Sequence, residues 1–173
     1  MLEKFPAFRE LQEQAGEKSG DGKKYEGAHI SKTDYYFAYG SNLNKEQMLN
    51  RCSGAEPVKK VILRGYKLDF CGVASISRQK NSVVPGAVYK ITTSDEVALN
   101  RYEGFPTLYE KRSVEVCGLD DEVMFYFIRD KELSYPSYSY LRTVRKGYED
   151  WGLDEKKLYE ALDRSVTRDL ELG

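Results

Sequence analysis

The apolar residues of this chain fall into short runs, and several of these runs are bounded by glycine, proline or a helix-capping residue. Aromatic and β-branched runs such as YYFAYG (35–40) and EVMFYFI (122–128) are typical of buried strands. Segments with helix-capping patterns alternate with these runs. No run approaches the roughly 18 apolar residues that cross a membrane, so we expect no membrane partner. The pattern predicts a mixed α+β domain.

The strand-like runs give a specific architecture. Arg64-Gly65 is expected to form a tight hairpin between two of them. Pro85 cannot donate a ladder hydrogen bond, so its strand is predicted to lie at a sheet edge or to carry a bulge. The last two runs flank GLDD as a second hairpin. About six short strands with peripheral helices suggest a small mixed β-barrel or a strongly curled sheet. The runs are 35–40, 58–63, 66–71, 83–90, 113–117 and 122–128.

Four segments carry helix signals. Capping boxes start two of them, one at Asn44 with Gln47 and one at Thr93 with Glu96. A third helix is expected within 137–152, and a fourth begins after Asp154. The predicted ends are Gly104 for the second helix and Gly147 or Gly152 for the third, and the fourth should bury Leu158, Leu162 and Val166.

Residues 1–33 differ in composition from the rest, and residues 34–173 are predicted to form the folded domain. Leu2, Phe5, Phe8 and Leu11 recur at helical spacing, whereas 16–27 is rich in glycine and charge and indicates a flexible linker. The extension is either a disordered tail or a segment whose phenylalanines dock on the domain or on a second subunit, as in a homodimer. Its charged start, broken by proline, is not typical of a secretory signal.

Composition excludes several classes of function. Lys and Arg total 27 against 28 Asp and Glu, so a general grip on nucleic acid is not expected. His29 is the only histidine, which removes histidine triads and multi-histidine zinc sites. The three cysteines have no metal spacing and are interpreted as buried, reduced thiols of a cytoplasmic protein. We therefore expect chemistry without a metal or another cofactor.

The first candidate site is the turn Tyr39-Gly40-Ser41-Asn42-Leu43, between a strand and a helix start. Gly40 permits a sharp turn, and free N–H groups beside a helix start favour a carboxylate or a developing oxyanion. The alternative is a turn whose polar side chains only satisfy the local backbone.

The second candidate is Glu103, at the predicted end of a short helix. The helix dipole and exclusion of water by Tyr102 and Phe105 would both raise the pKa of its carboxyl. A carboxyl adjusted in this way exchanges protons near neutral pH. The alternative is a solvated glutamate at a helix end.

The chain also holds 14 tyrosines. Most are expected to be half-buried core and rim residues, although a few could line a pocket with ring and hydroxyl. If Phe125 and Phe127 face a helix layer, strand alternation turns Tyr126 towards the opposite side, where it would suit a pocket wall.

Taken together, these segments resemble the gamma-glutamylcyclotransferase (AIG2-like) family. The resemblance rests on FAYGSNL (37–43) followed by LNRYEGFPTLYEK (99–111), with support from GYKLDF (65–70) and PGAVYKI (85–91). It extends from about Tyr35 to about Leu162 and excludes residues 1–33.

The resemblance implies a small barrel whose YGSN loop, Tyr39 to Asn42, binds a gamma-glutamyl group while Glu103 carries protons. It also implies pocket tyrosines at Tyr109, Tyr126 and Tyr140. The implied reaction is an acyl transfer within one molecule that releases 5-oxoproline and a free amine, without a cofactor. Asn42 favours gamma-glutamyl amino acids or amines over glutathione, and the leaving group stays open between an amino acid, an amine, a peptide lysine and a carrier protein.

Two other classes of function fit the sequence. One is a non-catalytic domain that binds a gamma-glutamyl ligand without turning it over. The other is an interaction module that presents its tyrosines to protein or RNA, for which strong salt dependence of RNA binding is the expected sign.

Overall fold

A computed structural model describes residues 35–171, with side chains to residue 166. Its core is one five-stranded sheet of order β2-β3-β1-β5-β4. All neighbouring strands are antiparallel except β1 and β5, which are parallel. The strands are β1 (Tyr35–Ala38), β2 (Glu56–Phe70), β3 (Ala74–Lys90), β4 (Glu110–Val114) and β5 (Val123–Phe127).

The sheet confirms the mixed α+β class but corrects the strand count. The expected hairpin at Arg64-Gly65 is wrong, because β2 continues through these residues as one long strand. Gly65 adopts a positive φ of 79° at a register shift in the pairing with β3, so its conformational freedom serves a bulge and not a turn. The two predicted strands are therefore one, and of the expected barrel or curled sheet, the described sheet is not closed into a barrel.

Pro85 lies near an irregularity, as its chemistry requires. Its partner on β2 is Ile62, and the pairing between β2 and β3 shifts register between Arg64 and Tyr66. β1 pairs with β3 only from Ala87 onwards, so at Pro85 the strand has passed the end of its second neighbour. The proline thus interrupts no ladder on that side, although β3 as a whole is not an edge strand.

Four α-helices are described, and their starts follow the capping signals. They are α1 (Lys45–Arg51), α2 (Thr93–Glu103), α3 (Tyr138–Trp151) and α4 (Lys156–Glu171). Asn44 caps α1 by accepting from the Gln47 N–H, as expected. The capping box of α2 is Thr92 with Asp95, one residue before the predicted pair. Gly104 ends α2 in the left-handed conformation, as predicted.

The two last helices correct the sequence analysis in detail. Helix α3 ends at Gly152, and Gly147 lies inside it. A side chain at position 147 would collide with Leu43 and the Asn44 backbone, which explains the glycine there. That close approach presses α3 onto the turn that follows β1. On α4, Leu158 and Leu162 are buried as predicted, but Val166 is 40% exposed.

Several smaller expectations are settled by the described residues. The second hairpin forms between β4 and β5, although β4 begins and ends three residues earlier than predicted. Cys52 and Cys71 are buried, whereas Cys117 is exposed, contrary to expectation. Within residues 35–171, no helix combines the length and the apolar character needed to cross a membrane. The expected helix and linker of the extension lie outside the described residues.

Candidate active site

The YGSN segment forms a sharp turn at the end of β1. Ser41–Leu43 is one turn of 3-10 helix, and the Leu43 N–H donates to the Gly40 carbonyl at 3.0 Å. The first N–H groups of a helix have no partner within it, so Ser41 and Asn42 provide the backbone donors of this turn. A Cβ at Gly40 would lie 3.0 Å from both the Tyr140 hydroxyl and the Ala74 Cβ, so glycine allows the turn to lie close to α3 and β3.

A cavity that opens to solvent lies beside this turn. Residues from β1, the turn, β3, α2, β5 and α3 meet around it. Its lining consists of the turn, tyrosines, two small apolar residues and one carboxylate: Tyr36, Tyr39, Gly40, Ser41, Asn42, Val73, Ala74, Tyr102, Glu103, Tyr109, Tyr126 and Tyr140. Among the described residues that line the cavity, Glu103 is the only one with a carboxyl group.

Glu103 has a buried carboxyl group with a raised pKa. It is 7% exposed, and its Oε1 accepts a hydrogen bond from Asn42 Nδ2 at 3.0 Å. Burial raises the pKa of its carboxyl from 4.5 to about 7, while the positive charge of Arg51 and the hydrogen bond from Asn42 oppose that rise. The cause is therefore burial, and the side chain can take up or release a proton near neutral pH.

Asn42 and Arg51 connect Glu103 to helix α1. Asn42 Nδ2 also donates to the Tyr36 hydroxyl at 2.8 Å, and Asn42 Oδ1 accepts from Arg51 Nη1. Arg51 Nη2 donates to the Tyr102 hydroxyl at 2.8 Å, with the guanidinium carbon 3.7 Å from the centre of that ring. A network of oriented donors therefore leads from α1 to the carboxyl.

The tyrosine hydroxyls around the cavity are engaged with the protein. Tyr39 donates to the Tyr126 carbonyl at 2.6 Å, and Tyr126 donates to Asn100 Oδ1 at 2.8 Å. Tyr109 donates to the Ala74 carbonyl at 3.2 Å, and Tyr140 accepts from the Ala74 N–H at 3.0 Å. Burial raises the pKa of each of these phenols, so they remain neutral. For Tyr39, Tyr109 and Tyr126, the oxygen retains lone pairs that could accept a hydrogen bond from a ligand.

The structure brings the predicted turn and the predicted acid, 61 residues apart, to one cavity. Tyr109, Tyr126 and Tyr140 also line it, whereas Leu43 does not and instead accepts from Trp151 Nε1 through its carbonyl. The functional roles of these residues remain predictions.

The sequence analysis gave no specific role in this site to Tyr36 or Arg51, and it gave Tyr102 only a role in excluding water from Glu103. The ring directions of Tyr36 and Tyr102 depend on the fold. Arg51 lies four residues after Gln47, which places both on one face of α1. Its contact with Asn42 follows only from the angle between the turn and the helix.

Metal ligands do not gather in this part of the chain. Among the described residues, no group of three or more His, Cys, Asp and Glu side chains lies close enough to hold a metal ion. The chemistry open to the arrangement is proton transfer by Glu103 and recognition of a polar ligand by oriented donors and phenol oxygens.

Comparison with known proteins relates the chain to one family. The family model described as gamma-glutamyl cyclotransferase, AIG2-like, matches residues 36–152. The chain is 29% identical over 134 residues to the protein named gamma-glutamylcyclotransferase of Homo sapiens, and this match covers 68% of the chain and 71% of the human protein.

Solved structures show the same relation. A structure of a gamma-glutamyl cyclotransferase is similar with a TM-score of 0.65 at 26% identity, covering 76% of this chain and 85% of that one. The Bacillus subtilis protein YkqA is similar with a TM-score of 0.62 at 25% identity, covering 75% of this chain and 54% of YkqA. Since the family model spans more than half of the sequence, this chain belongs to the AIG2-like gamma-glutamyl cyclotransferase family.

Proposed function

We propose that this protein is a gamma-glutamylcyclotransferase that converts a gamma-glutamyl amino acid or gamma-glutamylamine into 5-oxoproline and the free amine. The observation that carries the proposal is the hydrogen bond between Asn42 of the turn and the buried carboxyl of Glu103 inside one cavity. Membership of the family supports the same reaction.

In this reaction Glu103 is the proton carrier. Its carboxylate takes a proton from the alpha-ammonium group of the substrate, and the freed amine attacks the gamma-carbonyl carbon to close a five-membered ring. The bond from that carbon to the leaving nitrogen then breaks. Two protons leave the alpha-nitrogen and two reach the leaving nitrogen, so Glu103 passes on each in turn and ends unprotonated.

The cavity offers what this cyclisation requires. Nucleophile and electrophile belong to one molecule, so holding the folded-back conformer contributes much of the rate. The N–H groups of Ser41 and Asn42 suit a negative oxygen of the substrate, either its alpha-carboxylate or the oxyanion formed during attack. The phenol oxygens of Tyr39 and Tyr109, whose hydroxyl groups donate to backbone carbonyls, suit the alpha-ammonium group.

The leaving group lies outside the gamma-glutamyl site. Which leaving groups the protein accepts therefore depends on the loops around that site. Asn42 after YGS favours the amino acid and amine branch over the glutathione-specific one. Because the substrates are small metabolites and Cys52 and Cys71 are free and buried, we place the activity in the cytoplasm, within glutathione-linked metabolism.

The test is incubation of the whole protein with a substrate panel, followed by mass spectrometry of 5-oxoproline. The panel contains gamma-glutamyl-alanine, a gamma-glutamylamine, gamma-glutamyl-epsilon-lysine and glutathione. We expect release of 5-oxoproline from the first two above the rate of a Glu103→Gln sample. Binding of these compounds without any 5-oxoproline would instead identify a non-catalytic gamma-glutamyl-binding domain.

A further inference from the structure

The Asn42 amide has two ends that look alike in shape and differ in chemistry. Its Nδ2 donates to Glu103 and to Tyr36, at 3.0 and 2.8 Å, and its Oδ1 accepts from Arg51. If the amide rotated by half a turn, its oxygen would face the Glu103 carboxylate, which is itself an acceptor. Some neighbour must therefore fix the orientation.

Arg51 can do this because a guanidinium has five donors and no acceptor. A rotated amide would direct its own N–H groups at the guanidinium, leaving donors against donors at one end and acceptors against acceptors at the other. The Tyr36 hydroxyl cannot fix the amide alone, since a hydroxyl can either donate or accept. Among the described contacts of Asn42, only Arg51 is a pure donor.

Arg51 is itself held in place. Its Nη2 donates to Gln47 Oε1 at 2.6 Å and to the Tyr102 hydroxyl at 2.8 Å, and its guanidinium lies over the Tyr102 ring. The Gln47 amide donates in turn to Thr143 Oγ1 on α3 at 3.4 Å. Helices α1, α2 and α3 thus fix the guanidinium that fixes the amide.

We propose that Arg51 is a positioning residue of the active site, which locks the Asn42 amide with Nδ2 towards Glu103 and so confines the transferred proton to Glu103 Oε2. Asn42 keeps donating to Oε1 whether the carboxyl is charged or neutral. Oε2 is then the oxygen left to receive the proton and to return it. This role rests on the proposed function, which it deepens.

The charge of Arg51 has a second effect on the same carboxyl. Arg51 lowers the pKa of Glu103 against the larger effect of burial. The other titratable groups near enough to interact electrostatically with Glu103 are one thiol and six phenols. Their pKa values are raised, so they stay neutral at pH 7: Tyr36, Tyr39, Cys52, Tyr102, Tyr109, Tyr126 and Tyr140. Arg51 is therefore the charged side chain that opposes the effect of burial on the pKa of Glu103.

The test compares Arg51→Met, which removes donors and charge, with Arg51→Lys, which keeps the charge. Arg101→Met, on the exposed side of α2, is the matched control. Because Arg51→Met removes the hydrogen bond that orients Asn42, along with those to Gln47 and Tyr102, we expect it to lower kcat about tenfold with little change in KM. We expect Arg51→Lys to recover part of kcat and Arg101→Met to match the wild type.

A double-mutant cycle with Asn42→Ala shows whether Arg51 acts through the amide. If it does, Arg51→Met lowers kcat in the wild-type background and has little further effect in the Asn42→Ala background. Independent losses that multiply would overturn the proposal. Circular dichroism and thermal unfolding of each variant establish that the comparison is made between folded proteins.

A readout without turnover separates this proposal from the proposed function. The Glu103 carboxyl signal in carbon-13 NMR is assigned by its absence in Glu103→Gln and titrated in each variant. We expect its pKa to be higher in Arg51→Met than in the wild type and close to the wild type in Arg51→Lys. An unchanged titration in Arg51→Met would contradict the positioning role, whereas a wild type that releases no 5-oxoproline would contradict only the proposed function.

Discussion

Two buried carboxylates of this protein have opposite surroundings. Asp69 on β2 is 2% exposed and lies within 3.5 Å of three cationic side chains: Lys67 at 3.4 Å, Lys131 at 3.5 Å and Arg164 at 3.3 Å. Glu103 is 7% exposed and accepts from an uncharged amide, with Arg51 behind that amide. The first carboxylate is neutralised by direct contact, and the second is not.

The difference separates a structural role for Asp69 from the chemical role that we propose for Glu103. Asp69 joins β2 to helix α4 through Arg164, which also donates to the Leu68 carbonyl, and to the segment after β5 through Lys131. Such a cluster holds elements together because removing one partner leaves buried charge unpaired. Glu103 lines the cavity, and burial raises the pKa of its carboxyl to about 7, so it can take up or release a proton near neutral pH.

The largest effect is expected for Glu103→Gln, which keeps shape and removes the proton carrier. We expect kcat to fall by about 10² to 10⁴-fold, the usual contribution of general acid–base catalysis. Binding of a gamma-glutamyl ligand should persist, as measured by calorimetry, since glutamine still offers an acceptor to Asn42. Glu122→Gln, on an exposed residue, is the matched control. Full activity in folded Glu103→Gln would remove Glu103 from the mechanism.

Asp69→Asn should show the reverse behaviour. Loss of the charge leaves three cations around a neutral amide, so we expect the free energy of unfolding to fall by about 3 to 5 kcal/mol in a urea titration. Activity per folded molecule should stay near the wild type. A variant that keeps its stability but loses activity would show that the Asp69 cluster serves the cavity.

The stability of Glu103→Gln gives the third prediction. The raised pKa means that wild-type stability falls as pH rises from 4.5 to about 7, because the folded carboxyl resists ionisation. Glutamine avoids this cost, which is at most about 3 kcal/mol for a shift of this size. Thermal unfolding should show Glu103→Gln more stable than the wild type at pH 8 and equal to it at pH 4. Equal stability at both pH values would contradict the burial argument.

The smallest effect is expected for Tyr126→Phe. The hydroxyl donates to Asn100 and not into the cavity, so its loss should cost about 1 kcal/mol of unfolding free energy with little change in kcat/KM. Tyr36→Phe is the matched contrast. The Tyr36 hydroxyl accepts from Asn42, so its loss should lower kcat/KM more than the loss of the Tyr126 hydroxyl. Steady-state kinetics of the two variants decide the point, and the opposite ranking would place the substrate against Tyr126.

The sequence could predict the parts of the site that are local. A capping residue at Asn44, a left-handed stop at Gly104 and the Tyr39-Gly40 pair are visible within a few residues. The approach of Asn42 to Glu103 followed from family resemblance, because contact between residues so distant in sequence depends on the whole sheet. Arg51 was missed for the same reason.

Each error in the fold has its own physical cause. A glycine with positive φ serves a two-residue turn or a bulge equally well, so Arg64-Gly65 did not distinguish a hairpin from a bent strand. The hairpin between β2 and β3 turns instead around Gly72, which also has a positive φ of 75°. Val166 fits the helical stripe, but the neighbouring elements leave it uncovered.

The most direct test of the proposed role of Glu103 is the dependence of kcat/KM on pH for the wild-type protein with gamma-glutamyl-alanine. The free enzyme must present an ionised Glu103, so we expect kcat/KM to fall tenfold per pH unit well below a midpoint of about 7. A kcat/KM that stays constant from about pH 5 to about pH 8 would contradict a proton carrier with a raised pKa.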